Sequence, residues 1–200
     1  MKVLIKTIIL LYSKIKILNY KRKMDLLISK GLKLGKNVTI MPSVVIDDGY
    51  SFLISIGDNC SISSGTIILA HDATTFKFTN GYAKVGKVEI KDNCFIGSNV
   101  IILPGVTIGP NVLISAGSVV NKDIPPNSCV AGIPARVYEK FDEFIKHHVE
   151  SIQERPSFEF KEFISPNDEF KEKIRNLVEM GNIYVKGYRH HFPWTITWKK

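Results

Sequence analysis

Cysteine is scarce in this 200-residue chain: Cys60, Cys94 and Cys129, with no CxxC pair among them. Three cysteines cannot all pair within one chain, so a disulfide framework is excluded and small buried thiols in a reducing compartment are expected. Histidine is scarcer still over most of the length, because His71 is the only one in the first 146 residues. A long uninterrupted apolar run is missing as well. The N-terminal stretch MKVLIKTIILLYSKIKIL is broken by Lys6 and followed by Lys14 and Lys16, with no small-residue cleavage site. A secretory signal is therefore not expected, and the run is too short and too charged to span a membrane.

Hydrophobic residues make up 44% of the chain and charged residues 23%, a balance that predicts a packed globular protein of one domain with appendages. The net charge of +8 suits an anionic partner: a phosphate-bearing cofactor, nucleic acid or a membrane surface. No recognised nucleic-acid motif accompanies it, and the lysines concentrate at the two termini, so no nucleic-acid partner is expected. Within residues 1–33, Leu4, Ile8, Leu11, Ile15 and Leu18 fall on one helical face. Two readings fit: a helix that packs on the main domain, or a basic amphipathic helix that makes weak peripheral contact with a membrane through residues 1–23.

The informative feature is a period of six. Ile90, Ile96, Ile102, Ile108, Ile114 and Val120 are each six residues from the last, and all are β-branched. Four positions after each comes a small or aliphatic residue: Cys94, Val100, Val106, Val112, Ser118 and Ile124. The same spacing runs earlier through Leu34, Ile40 and Ile46, and again through Ile56, Ile62 and Ile68. Neither a helical period of 3.6 nor two-residue alternation generates it; repetition at six marks a parallel β-helix. Three short strands, about eighteen residues, close one triangular coil, with the aliphatics inside and Gly, Asn, Asp and Pro at the corners. Coils are expected over residues 34–137, making the fold mainly β with helical extensions at both ends.

Two interruptions break the register. One covers roughly Asp47 to Phe52; the longer runs from Ala73 to Lys87, ATTFKFTNGYAKVGK. A loop of that length in a tight solenoid is usually functional or disordered, and Phe76, Phe78 and Tyr82 with Lys77, Lys84 and Lys87 suggest a covering surface. Residues 138–200 change character. Phe141, Phe144, Ile145, Val149 and Ile152 are spaced as a helix, and NDEFKEKIRNLVEM opens with an Asn/Asp cap. The segment NIYVKGYRHHFPWTITWKK is aromatic and basic without a clear period. The pairs His147–His148 and His190–His191 make poor metal sites, since adjacent side chains on a helix diverge by about 100°.

Residues 88–137, VEIKDNCFIGSNVIILPGVTIGPNVLISAGSVVNKDIPPNSCVAGIPARV, resemble the closing half of the hexapeptide-repeat acetyltransferases. The resemblance is nearest to the sugar O-acetyltransferases, such as the galactoside and maltose enzymes and those that decorate surface polysaccharides. It implies left-handed coils, where parallel crossovers are ordinarily right-handed. It also implies a homotrimer with active sites between adjacent prisms and acetyl-CoA as donor. No metal is expected, and the reduced thiols and the N-terminal helix point to a cytoplasmic or membrane-peripheral location. LAHDATT places the family's general base at His71. The AGSVV turn and the basic residue after it imply a coenzyme A groove at Ala116, Gly117, Ser118 and Lys122, with Asn121 where relatives often carry threonine. AGIPAR implies Gly132, Pro134 and Arg136 at the adenosine and phosphate end, and Phe95 takes a place often held by tryptophan. Asp47 and Asp48, in VVIDDGY, are candidates to bind the acceptor or orient the histidine.

An imidazole with an ordinary pKa of about 6.5 suits removal of a hydroxyl proton near neutral pH. Asp72, Asp47, Asp48 or a backbone carbonyl could fix its tautomer, and a backbone N–H near Ser98 or Asn99 could stabilise the oxyanion. Phe76 and Tyr82 are acceptor-side candidates. Drug-hydroxyl acetylation of the streptogramin type, amino-sugar N-acetylation and a catalytically silent assembly module are the alternatives. The metal-dependent carbonic anhydrases built on hexapeptide repeats need several histidines from the coils, and this chain offers one there.

Overall fold

The computed structural model describes the backbone of residues 2–187 and 196–198, and side chains from Leu18 to Gly187 together with Leu11 and Ile15. The expectations placed on Leu4 and Ile8, and on the His190–His191 pair, fall outside the described side chains. The chain divides into two compact units, Met1–Phe141 with Trp194–Lys200, and Asp142–Pro193.

The first unit is a three-faced parallel β-helix. Its first face stacks strands Lys33–Leu34, Ile54–Ile56, Val88–Ile90 and Thr107–Ile108. The second stacks Val38–Ile40, Ser61–Ile62, Phe95–Ile96, Val112–Ile114 and Ser128–Ala131. The third stacks Val45–Ile46, Ile67–Ile68, Ile101–Ile102 and Val119–Val120. Three aliphatic columns fill the prism. They are Leu34–Ile56–Ile90–Ile108, Ile40–Ile62–Ile96–Ile114–Val130 and Ile46–Ile68–Ile102–Val120. Burying each such side chain contributes about 1.5–3 kcal/mol, and apart from Leu34, which is partly buried, these residues are at most 2% exposed.

Register is kept across both interruptions. From Ile90 to Ile108, Ile96 to Ile114 and Ile102 to Val120 the step is 18. From Ile46 to Ile68 it is 22, four more than 18, and the extra residues lie in the Asp47–Leu53 segment. From Ile68 to Ile102 it is 34, sixteen more, and the extra residues lie in the long loop. That loop is a hairpin: His71–Asp72 pairs antiparallel with Lys84–Val85, and Phe76–Phe78 forms a 3₁₀ turn between them.

One corner is built by asparagine. Asn37, Asn59, Asn93, Asn111 and Asn127 all adopt φ between 54° and 58°, the left-handed region asparagine tolerates better than most residues. Each side-chain amide donates to the next along the axis, at 3.2, 3.3, 3.2 and 2.8 Å. Just inside this corner, the buried thiols of Cys60 and Cys94 donate to the carbonyls of Lys91 and Gly109, each at 3.1 Å. They behave as small hydrophobes with a weak donor.

The sheet ends are closed. Helix α1, Lys2–Ser29, contributes Tyr20, Met24 and Leu27 to the core, joined by Leu32. Strand Arg136–Lys140 pairs antiparallel with Ser128–Ala131, and Ile196–Trp198 pairs antiparallel with Val38–Ile40. Both outermost edges of the second face are thereby covered.

The second unit contains helices α2, Phe141–Glu154, and α3, Asp168–Glu179, and a parallel pair of strands, Ser157–Glu159 with Tyr184–Lys186. Asn167 caps α3, its side chain accepting from the Phe170 amide at 2.8 Å. Phe158, Phe163 and Phe170 pack edge to face with centroids 5.2 to 6.3 Å apart.

Candidate active site

His71 sits where the chain leaves the third face. Ile68 is the last inward residue of its strand, and the corner that follows is held from below by Asp47, which comes directly after Ile46 in the neighbouring coil. Oδ2 of Asp47 accepts from the amides of Ala70 at 3.0 Å and His71 at 3.2 Å, and from the ring Nδ1 of His71 at 2.5 Å. Asp47 is buried, and three donors on one oxygen compensate its desolvation. A carboxylate only accepts, so Nδ1 carries the proton and Nε2 is the acceptor nitrogen. The His71 side chain remains 39% exposed.

Of the three carboxylates considered from sequence, the structure thus brings Asp47 to the ring. Asp48 is exposed one residue further on. Asp72 is exposed and turned to its own loop: it accepts from the Thr74 amide at 2.8 Å and from the Thr74 hydroxyl. Those two hydrogen bonds, with smaller help from Lys84 and His71, hold its carboxyl below the ordinary aspartate value. Sequence reasoning missed Tyr50, whose ring centroid lies 5.0 Å from that of His71 at a 35° tilt. Its signal was its place in the first interruption, which proves to be the other wall of this corner. Phe76 and Tyr82 are exposed on the hairpin.

The residues assigned to coenzyme A by resemblance gather along two edges of the third face. Lys122 is exposed two positions after Val120, on the same edge as His71. The opposite edge carries Ser98, Asn99, Ala116 and Gly117; the Gly117 amide donates to the Ser98 carbonyl at 2.8 Å. The Asn99 amide is already committed to the Ser64 carbonyl at 2.9 Å, which removes it as an oxyanion donor. Ser118 does not face outward. It is fully buried, its hydroxyl donates to the Ser115 carbonyl at 2.7 Å and accepts from the Gly132 amide at 3.2 Å. It therefore holds the turn from inside. Gly132, at φ 99°, and Ala135 bracket the last strand of the face: Val119 donates to the Gly132 carbonyl at 3.0 Å and Ala135 to the Val119 carbonyl at 2.8 Å. Pro134 and Arg136 are exposed beside it, and Phe95 projects from the second face, half exposed.

Between the two edges, the outward residues of the third face are Val45, Ile67, Ile101 and Val119, aligned across neighbouring strands. The equivalent positions of the first face are Lys33, Ser55, Glu89 and Thr107. One outer face is thus aliphatic where another is polar.

The repeats match two known sequence families, bacterial transferase hexapeptide (six repeats) over residues 87–122 and the hexapeptide repeat of succinyl-transferase over residues 54–70. The putative acetyltransferase YvoF of Bacillus subtilis (strain 168) is 37% identical over 122 residues, covering 60% of this chain and 68% of that protein. The chain belongs to the hexapeptide-repeat acetyltransferases. The galactoside O-acetyltransferase of Escherichia coli (strain K12) is 38% identical over 119 residues, 58% of each chain. Among solved structures, the hexapeptide-repeat acetyltransferase VCA0836 of Vibrio cholerae O1 biovar eltor, complexed with acetyl coenzyme A, superposes with a TM-score of 0.51 at 33% identity, covering 56% of this chain and 61% of that one. The chain spans little more than half the length of several curated relatives it matches.

Proposed function

We propose that this hexapeptide-repeat protein is an acetyl-CoA-dependent O-acetyltransferase acting on a hydroxyl of a sugar or surface-polysaccharide precursor in the cytoplasm. The observation that carries this reading is the His71–Asp47 pair, a half-exposed imidazole whose Nδ1 is tied to a buried carboxylate. Nε2 takes the acceptor hydroxyl proton as the oxygen attacks the thioester carbonyl. Asp47 stabilises the imidazolium that results. The tetrahedral intermediate collapses, the C–S bond breaks, and His71 returns the proton to the coenzyme A thiolate. Lys122 and Arg136 meet the phosphates of the donor, in keeping with the net charge of +8.

The functional unit is a homotrimer of left-handed prisms. His71 and the Ala116–Gly117 edge lie on opposite sides of the aliphatic third face, so a site that uses both edges forms where two copies adjoin. The hydroxyl acceptor is favoured by the kinship with the galactoside enzyme, and the acetyl donor by the kinship with the acetyl coenzyme A complex.

The test is coenzyme A release from acetyl-CoA against sugars, nucleotide sugars, amino sugars and streptogramins, for wild type and His71→Ala. Turnover with a sugar hydroxyl that falls at least about a hundredfold in the variant, while acetyl-CoA still raises its melting temperature, supports the reading. Wild-type turnover in the variant overturns it, and turnover confined to amines or streptogramins reassigns the acceptor.

A further inference from the structure

Helix α1 has two apolar stripes, and the β-helix uses one of them. Tyr20, Met24 and Leu27 are buried in the core. Leu11, Ile15, Leu18 and Leu26 are 58%, 48%, 49% and 53% exposed. With Arg22 they follow i, i+4, i+7, i+11 and i+15, a single helical stripe. Tyr20 follows Leu18, and Met24 follows Arg22, by two positions, a rotation of about 200°. The exposed stripe therefore points away from the β-helix.

The charge of this helix is one-sided. Lys2–Ser29 contains Lys2, Lys6, Lys14, Lys16, Lys21, Arg22 and Lys23, seven basic residues, against Asp25 as its one acid. Lys21 bonds Asp25 at 3.1 Å, so that acid is already neutralised. An aliphatic stripe set in a field of uncompensated positive charge fits a surface that is apolar below and anionic above. A second copy of α1 fits poorly, because it carries the same net charge of +6, seven basic residues less one acid.

We propose that α1 docks this protein on anionic lipid bilayers. The helix lies flat in the interface, with Leu11, Ile15, Leu18 and Leu26 among the acyl chains and Arg22 and Lys23 at the phosphates. The helix is 28 residues long, about 42 Å at 1.5 Å per residue, so it presents a line of contact rather than a single anchor. No helix among the described residues is long and apolar enough to cross a membrane, and the docking is accordingly peripheral and reversible.

The experiment is cosedimentation of the full chain with vesicles of phosphatidylcholine alone, and with 30 mol% phosphatidylglycerol, at low and high salt. Binding is expected to the anionic vesicles and to fall as salt rises. Arg22→Ala with Lys23→Ala is expected to weaken it about 25-fold, near fivefold per charge. Leu11→Glu/Ile15→Glu/Leu18→Glu is expected to abolish it with an unchanged melting temperature. Equal binding by the triple variant, or absence of wild-type binding to anionic vesicles, overturns the proposal. So does a fall in oligomer mass for the triple variant in sedimentation velocity, which would make the stripe a contact between copies. None of these readouts depends on the acetyl-transfer reading.

Discussion

Nδ1 of His71 and Oδ2 of Asp47 stand 2.5 Å apart, across the step between two coils of the β-helix. The pair defines a tautomer and a charge, and Asp47→Asn removes the charge. With its amide oxygen in the place of Oδ2, asparagine still accepts from the Ala70 and His71 amides and from Nδ1, but no longer stabilises the imidazolium. We expect kcat to fall about a hundredfold or more, with KM for acetyl-CoA within twofold of wild type, by steady-state thiol release. Asn retains an oxygen for the Ala70 and His71 amides, so the fold should persist.

Ser118 offers a different signature. Its hydroxyl joins the Ser115 carbonyl to the Gly132 amide beneath the proposed donor groove. Ser118→Ala leaves the Gly132 amide and the Ser115 carbonyl without that partner, a loss of about 1–2 kcal/mol for the two hydrogen bonds. Denaturant titration should register this loss. KM for acetyl-CoA should rise while kcat changes little, because His71 is at the other edge of the face.

The asparagine ladder can be divided into backbone and hydrogen-bond contributions at Asn93, which accepts from Asn59 and donates to Asn111. Asn93→Gly keeps the φ of 58° accessible and loses the two bonds, at about 1–2 kcal/mol. Asn93→Ala loses the same bonds and adds about 1–2 kcal/mol for a β-carbon in the left-handed region. Equal destabilisation of the two variants in urea would show that the conformation contributes nothing.

Asp72 supplies a pH-dependent contact in the long loop. Its carboxyl is held below the ordinary aspartate value by the Thr74 amide and hydroxyl. A depressed folded pKa means that the contact stabilises the loop above the unfolded value and is lost as pH falls through the folded one. The Thr74 amide resonance should therefore titrate below the ordinary aspartate range, and Asp72→Asn should abolish that titration.

The β-helix was legible because its core is periodic: one inward aliphatic every six residues specifies the strand, the face and the neighbour above. The candidate site was legible at His71, where a lone imidazole meets the break in that period. Its partner was not, because Asp47, Asp48 and Asp72 all flank interruptions, and a one-residue change in register exchanges an inward carboxylate for an exposed one. Tyr50 escaped for the same reason. The strands Ile196–Trp198 and Tyr184–Lys186 escaped because each is a single short strand whose partner lies far away in sequence. Ser118 looked like a groove residue from its motif, and only the depth of the turn shows that its hydroxyl points inward.

The hairpin after His71 adds sixteen residues without moving Ile102 out of register with Ile68. The rack of coils is thus indifferent to what is clipped into it at that slot. Doubling the loop would cost only about 0.6 kcal/mol in closure entropy, while the histidine and its carboxylate stay fixed to the rack. Under the proposed function, acceptor surfaces are exchangeable there as cassettes, with the His71–Asp47 pair and the core left unedited.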